Sequence, residues 1–90
     1  MMRGIITVLG KDRVGIIAKV CTYLAEEEIN ILDISQTIVG GFFNMMMIVD
    51  LSDNTHKFDA VANGLKEIGL DLGLEIKLQR EDIFNNMHRI

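Results

Sequence analysis

The stretch that decides the fold is residues 4–38, GIITVLGKDRVGIIAKVCTYLAEEEINILDISQTI, because its hydrophobic period changes twice. Residues 4–9 are a short β-branched apolar run before Gly and charged residues, which predicts a strand entering a turn. Residues 13–28 carry apolar side chains three and four apart, which predicts an amphipathic helix with Asp12 as its N-cap. Residues 30–39 alternate again and predict a half-buried strand. Its apolar face is expected to carry Leu32, Ile34 and Ile38, with Gln36 interrupting it.

The second half of the chain repeats this order. Gly40-Gly41 predicts a hairpin turn into a strand over 42–51 that is apolar on both faces. A second helix begins near Phe58, with Gly69 as its expected stop. A fourth, alternating strand follows over 74–79, and residues 81–90 predict a short C-terminal tail helix.

The order β-α-β-β-α-β predicts a single α+β domain over residues 1–90 with the ferredoxin-like, split βαβ arrangement. The expected architecture is a four-stranded antiparallel sheet in the order 4-1-3-2, with two helices on one face and the short tail helix. The first and third strands are then central, and both are apolar on both faces. Because right-handed crossovers place both helices on one side, the other face needs a cover, either the tail helix or a second subunit.

Composition excludes several classes of function. The 90 residues carry a net charge of −4, which argues against a sequence-independent grip on nucleic acid or anionic membrane. The lone Cys21 excludes an internal disulfide and any CxxC metal or redox site. No apolar run approaches the ~20 residues that span a bilayer, and the N-terminus lacks a signal-peptide pattern. We therefore expect a cytoplasmic protein without metal or other cofactor.

The first strand-to-helix junction is the most informative candidate site. Backbone N–H groups at a helix N-terminus point outward, and Gly15 removes the side chain that would hold a ligand away from them. Such a junction accommodates a carboxylate or a phosphate, although an ordinary capped turn has the same pattern. Asn30 follows at the opposite end of the helix, where it either tolerates a left-handed helix end or completes a pocket across a two-fold dimer.

These residues resemble the opening of an ACT domain, a small-molecule-sensing module attached to many enzymes of amino-acid metabolism. Asp12, Gly15 and Ile16 match its Asp-x-x-Gly-Ile turn, and Asn30-Ile31 matches its Asn-Ile step. The resemblance covers the whole chain in topology and is nearest to stand-alone single-ACT proteins of prokaryotes and the glycine-cleavage-system regulator type.

The resemblance implies a non-catalytic, dimeric regulatory module that binds an amino acid at its subunit interface. The implied ligand-binding residues are Asp12, Arg13, Val14, Gly15, Ile16, Asn30 and Ile31. The ligand carboxylate would meet amides near Val14 and Gly15, and Asp12 or Asn30 would receive its ammonium group. Without an attached output domain, the module needs a separate protein partner to modulate amino-acid metabolism or its transcription. The alternative is a protein-interaction module without a small ligand.

Three other classes share the topology. An acylphosphatase needs an Arg aimed into its oxyanion loop, but Arg13 precedes the Gly and Asp12 would repel a phosphate. An RNA-recognition module needs aromatic residues on the first strand, which has none, and the net charge has the wrong sign. A copper chaperone needs CxxC in the first loop, and this chain has no CxxC, so that class is excluded.

The remaining chemically suggestive residues favour structural roles. Met45-Met46-Met47 alternate between faces of a strand and cannot converge on a metal, so they are expected to pack in the core and an interface. Cys21 is expected to be an inert core thiol, and His56 and His88 to be solvated. The apolar residues of the tail are expected to pack on the sheet of the dimer: Ile83, Phe84, Met87 and Ile90.

Overall fold

The computed structural model describes residues 2–51 and 58–81. The elements are β1 (Arg3–Lys11), α1 (Ile16–Glu26), β2 (Asn30–Val39), β3 (Phe42–Asp50), α2 (Phe58–Leu72) and β4 (Leu74–Arg80). The tail helix expected over 81–90 lies, apart from Glu81, outside the described residues, as do His56 and His88.

The sheet confirms the predicted topology. Its four strands are ordered β2-β3-β1-β4, and every neighbouring pair is antiparallel. In the centre, Thr7 of β1 lies opposite Met46 of β3 on one side and Lys77 of β4 on the other. The strand order is 4-1-3-2 read from the other edge, so the fold is ferredoxin-like, with β2 and β4 as its edges.

The β2–β3 hairpin turns on two glycines, as predicted. Gly40 and Gly41 have φ values of 58° and 83°, in the left-handed region that a side chain disfavours. Two consecutive residues with positive φ form the tight turn whose twist matches that of the flanking strands. The turn therefore fixes the register that places Val39 opposite Phe42.

The core lies between the helices and one face of the sheet. Since directly opposed residues share a face, Ile6 of β1, Met47 of β3 and Leu78 of β4 form one row across it. The helices pack buried side chains against this face: Ile16, Val20 and Leu24 from α1, and Val61, Leu65 and Ile68 from α2. This burial supplies the main favourable term in folding.

The opposite face of the sheet is partly exposed. Leu9 and Phe42 remain 51% and 55% exposed, and Met46 on the same face is also exposed. Ile5, further along the same face, is buried. The sequence pattern of apolar residues on both faces of the central strands is therefore present in the fold.

The start of α1 differs from the sequence prediction. The helix begins at Ile16, its N-cap is Gly15 with φ 93°, and no side chain caps it. The predicted cap, Asp12, is wrong because Asp12 instead donates its backbone N–H to the Gly41 carbonyl, 2.9 Å away, and lies three residues before the cap. The helix stops at Glu26, two residues before the predicted end, and Glu28 takes a left-handed conformation at φ 58°.

The end of α2 also differs. Gly69 was expected to stop the helix but lies buried inside it, where a Cβ would approach the Leu74 carbonyl oxygen to 2.6 Å. The stop is Gly73, which has φ 71° directly after Leu72. Gly69 is therefore a glycine of close approach, since α2 packs directly on the backbone of β4.

The exposed edge strand β2 is irregular. A shift of register between Ile31 and Asp33 marks a bulge at Leu32, so Ile31, opposite Val49, takes the helix-side position. Ile34 and Ile38 share a face, as predicted, whereas Leu32 lies at the bulge, outside the regular alternation. The strand is also more exposed than the half-buried strand expected, since all its residues except Ile31 are exposed.

Candidate functional site

The loop between β1 and α1 is held at two points. Asp12 donates its backbone N–H to Gly41 in the hairpin, and the Arg13 guanidinium donates to the Leu72 carbonyl oxygen at 3.2 Å. Leu72 is the last residue of α2, and the last turn of that helix contains no basic residue. Arg13 thus places positive charge where the helix macrodipole is negative. The two contacts set the position of the loop relative to the rest of the domain.

Beyond these contacts, the loop presents backbone to solvent. Val14 is 99% exposed, and an added side chain at Gly15 would meet no atom within 4 Å. The first helical hydrogen bond runs from the Lys19 N–H to the Gly15 carbonyl. The N–H groups of residues 16–18 therefore have no intrahelical acceptor. They lie slightly further along the chain than the amides near Val14 and Gly15 that the resemblance implied.

A groove of about 270 Å³, here called the edge groove, lies between this loop and β2. It is lined by Asp12, Arg13, Gly15, Ile16, Ile17, Ala18, Gln36, Ile38 and Phe43. Apolar side chains form most of its wall, and the start of α1 contributes four of its residues. A concave, largely apolar site with a few polar groups is the usual form of a small-molecule site.

The predicted site residues separate into two groups. Asp12, Arg13, Gly15 and Ile16 line the edge groove, and Val14 lies at the tip of the same loop. Asn30 and Ile31 lie at the other end of β2. Asn30 is opposite Asp50, which in turn is opposite Arg3, whereas the loop follows Lys11. Eight residues of strand correspond to about 27 Å. One chain does not bring the two groups together.

A larger groove of about 490 Å³ follows the outer side of α1. Its lining includes Lys19, Tyr23 and Glu26 together with Ile68 of α2. Burial raises the pKa of the Tyr23 hydroxyl above its ordinary value of 10.0, and the carboxylates of Glu27 and Glu67 raise it further. The phenol is therefore a neutral, protonated group at physiological pH and offers no acid–base chemistry there.

Five of the groove residues were not among the predicted site residues. Ile17 and Ala18 directly follow the predicted Ile16, and the other three are Gln36, Ile38 and Phe43. All three belong to the β2–β3 hairpin, which lies about 20 residues or more after the loop in the chain. Gln36 did carry a signal, because it interrupts the apolar face of β2. Ile38 and Phe43 lie directly opposite each other in the hairpin, and both positions resemble ordinary strand residues in the sequence.

Residues 2–51 and 58–81 also bear on metal binding and on membrane insertion. Within those ranges, no group of three or more His, Cys, Asp or Glu side chains is placed to hold a metal ion. In the same part of the chain, neither helix has the length and apolar character needed to cross a membrane.

The fold and the edge groove together define a class of protein: a small ferredoxin-like domain with an exposed edge strand beside a glycine-containing strand-to-helix turn. The ACT domain family model matches residues 4–79. The chain belongs to this family of regulatory domains, as its resemblance indicated.

Relatives and solved structures agree with this assignment. A UPF0237 protein of Bifidobacterium longum is 56% identical over 90 residues, covering all of both chains, so single-domain relatives exist. The ACT domain protein of Streptococcus pneumoniae is 42% identical with a TM-score of 0.81, covering 92% of this chain and 93% of that one. A protein provisionally described as a glycine cleavage system transcriptional repressor shares the fold at 24% identity and TM-score 0.74, covering 88% of this chain and 45% of that one.

Proposed function

We propose that this chain is a cytoplasmic, non-catalytic regulatory module that binds an amino acid at the interface of a homodimer. In this role it modulates amino-acid metabolism or its transcription through a separate protein partner. Membership of the ACT family supports the regulatory part of the proposal. The dimer and the ligand are argued from the edge strand and the groove.

The β2 edge has the properties of an interface. Its outer side has no neighbouring strand among the described residues. Four exposed apolar side chains lie along this strand, of which Val39 is 73% exposed: Leu32, Ile34, Ile38 and Val39. Asp33 is its only charged residue, although protein edges are usually protected by charge. A second copy pairing with β2 removes this unprotected edge.

Pairing two β2 strands would complete the site. In an antiparallel pair related by a two-fold axis, the Asn30 end of one strand lies beside the Val39 end of the other. Val39 directly follows the groove residue Ile38. The partner's Asn30 and Ile31 would therefore approach the edge groove, which unites the two groups of site residues that a single chain keeps apart.

The edge groove suits a small zwitterion. The unbonded N–H groups of residues 16–18 favour a carboxylate, because they add to the positive end of the α1 macrodipole. Asp12 and the Asn30 carboxamide of the partner would accept hydrogen bonds from the ammonium group. One observation carries the proposal. The edge groove and Asn30 lie at opposite ends of β2, and the outer side of that strand is unpaired among the described residues, so a second copy could bring them together.

Thermal unfolding against the twenty common amino acids tests the ligand. A ligand at 100 times its dissociation constant adds about 2.7 kcal/mol of stability. For a domain of this size, that raises the melting temperature by roughly 10 °C or more. A confirmed dimer that no amino acid stabilises would favour instead an interaction module without a ligand.

Light scattering after size exclusion tests the dimer. Ile34→Arg places a charge on the β2 edge and should shift the protein toward monomer, with a loss of any ligand response. Leu70→Arg is the matched control, since Leu70 is an exposed apolar residue on α2, away from this edge. A stable wild-type monomer at micromolar concentration would refute the composite site.

A further inference from the structure

Gln36 occupies an unusual position in β2. It lies between Ile34 and Ile38 on the side of the strand that faces the helices, directly opposite the buried Met45. All other helix-side positions of this strand are apolar, including Ile31 beyond the bulge. Gln36 is therefore the one polar side chain in an otherwise apolar row of the described β2 residues, and it lines the edge groove.

The carboxamide of Gln36 has unused hydrogen-bonding capacity. It offers two N–H donors and an acceptor oxygen, and no hydrogen bond within residues 2–51 and 58–81 involves it. When a ligand and a partner subunit close the groove, this amide loses contact with water. A polar group that loses water without gaining a hydrogen bond is unfavourable. The groove therefore selects an occupant that supplies a hydrogen bond at this point.

Charge narrows the class of occupant further. Among the described residues, the charged ones that line the groove are Asp12 and Arg13, which are adjacent and opposite in sign. The Arg13 guanidinium is also directed to the Leu72 carbonyl. The wall near Gln36 consists of Ile16, Ile17, Ile38 and Phe43, which cannot compensate a charged ligand side chain.

We propose, on the basis of the function proposed above, that Gln36 determines ligand specificity. It selects an amino acid whose side chain is neutral and forms hydrogen bonds, a carboxamide or a hydroxyl, over an aliphatic side chain of the same shape. The groove volume of about 270 Å³ accommodates a single amino acid. A site built to bond a polar group rejects the apolar analogue strongly, because the polar wall is then left unpaired.

Paired ligands of matched shape test this inference. Calorimetric titration of the full-length dimer compares asparagine with leucine, threonine with valine, and glutamine with methionine. We expect the polar member of the best-binding pair to bind about tenfold or more tightly, since one hydrogen bond is worth about that factor. Gln36→Met keeps the size of the side chain and should remove or reverse this preference.

Two further variants separate specificity from structure. Thr37→Val changes the next residue, which lies on the opposite face beside Asn44, and should leave the preference unchanged. Gln36→Glu keeps the size but lacks the donor, and should weaken binding of a carboxamide ligand several-fold. Light scattering on each variant verifies that the dimer is retained.

The outcomes distinguish this inference from the proposed function. If the wild type binds an amino acid but prefers the aliphatic member, or if Gln36→Met leaves the ratio unchanged, Gln36 does not determine specificity while the binding function stands. If Gln36→Met disrupts the dimer without changing the ratio, Gln36 belongs to the subunit interface and the inference is wrong. If the wild type binds none of the amino acids, the proposed function fails and this inference fails with it.

Discussion

The close approach of Tyr23 to Gly64 predicts how Gly64→Ala changes the free energy of unfolding. In the interior of an ordinary helix, replacing Gly with Ala stabilises by about 1 kcal/mol. In α2, however, the new Cβ would lie 2.5 Å from the Cζ atom of the Tyr23 ring and closer still to its hydroxyl oxygen. Displacing a packed side chain in this way costs about 1–3 kcal/mol. We therefore expect Gly64→Ala to lower the free energy of unfolding by about 1 kcal/mol.

A double-mutant cycle isolates the cause. In a Tyr23→Ala background the obstacle is gone, so Gly64→Ala should stabilise by about 1 kcal/mol, which gives a coupling of about 2 kcal/mol between the two sites. Urea denaturation at one fixed protein concentration measures all four proteins, because the stability of a dimer depends on concentration. The same sign and size of effect in both backgrounds would refute the reasoning. The melting temperature provides a second readout, at roughly 4–8 °C per kcal/mol.

Other residues lead to four shorter predictions. Gly15→Ala should lower the free energy of unfolding by about 1–2 kcal/mol, because alanine disfavours the positive φ of this position, and Gly15→Asn should lower it less. Denaturation of the two variants measures the difference. Gly69→Ala should also destabilise, by about 1–3 kcal/mol, because its Cβ would meet a backbone carbonyl of β4 that cannot rotate away, and Tyr23→Ala should not rescue it. Arg13→Gln should cost at most about 1 kcal/mol, since its contact with the end of α2 is exposed. The raised pKa of Tyr23 means that the unfolded chain loses this proton first, so stability should fall as pH rises above 10.0, and Tyr23→Phe should flatten that decline in a pH series of melting temperatures.

The sequence predicted the order of the elements because hydrophobic period follows directly from helix and strand geometry. The glycine pair of the hairpin was equally readable, since its two positive φ values admit few other residues. Strand order followed from the split βαβ arrangement, and the apolar residues on both faces of the central strands agreed with it. These features depend on local residue types and on general rules of connection.

The errors involve features that depend on tertiary contact. Asp12 is a residue type that often caps helices, but Gly15 is the N-cap here, because the backbone N–H of Asp12 is hydrogen-bonded to the hairpin. Gly69 and Gly73 look alike in sequence, and only the approach of β4 distinguishes a packing glycine from a stop. The bulge at Leu32 has no composition signal at all.

For the site, the sequence identified the loop and Asn30 but not the hairpin wall of the groove. The loop carries a local motif, whereas Ile38 and Phe43 reach the groove only through the β2–β3 register. Gln36 was visible as an interruption of the apolar pattern, yet its position beside the start of α1 required the fold. An irregular residue is therefore easier to recognise in a sequence pattern than the neighbours that the fold brings to it.

The two edges of the sheet differ in a way that bears on filament formation. β2 carries a single charged side chain, Asp33, whereas β4 carries Glu75 and Lys77, which form an exposed 2.9 Å ion pair, and ends at Arg80. If both edges were alike and uncharged, β2 of one molecule would add to β4 of the next without limit. The charged β4 edge disfavours that head-to-tail growth. Pairing the β2 strands of two molecules would leave only β4 edges exposed, so assembly would stop at a dimer.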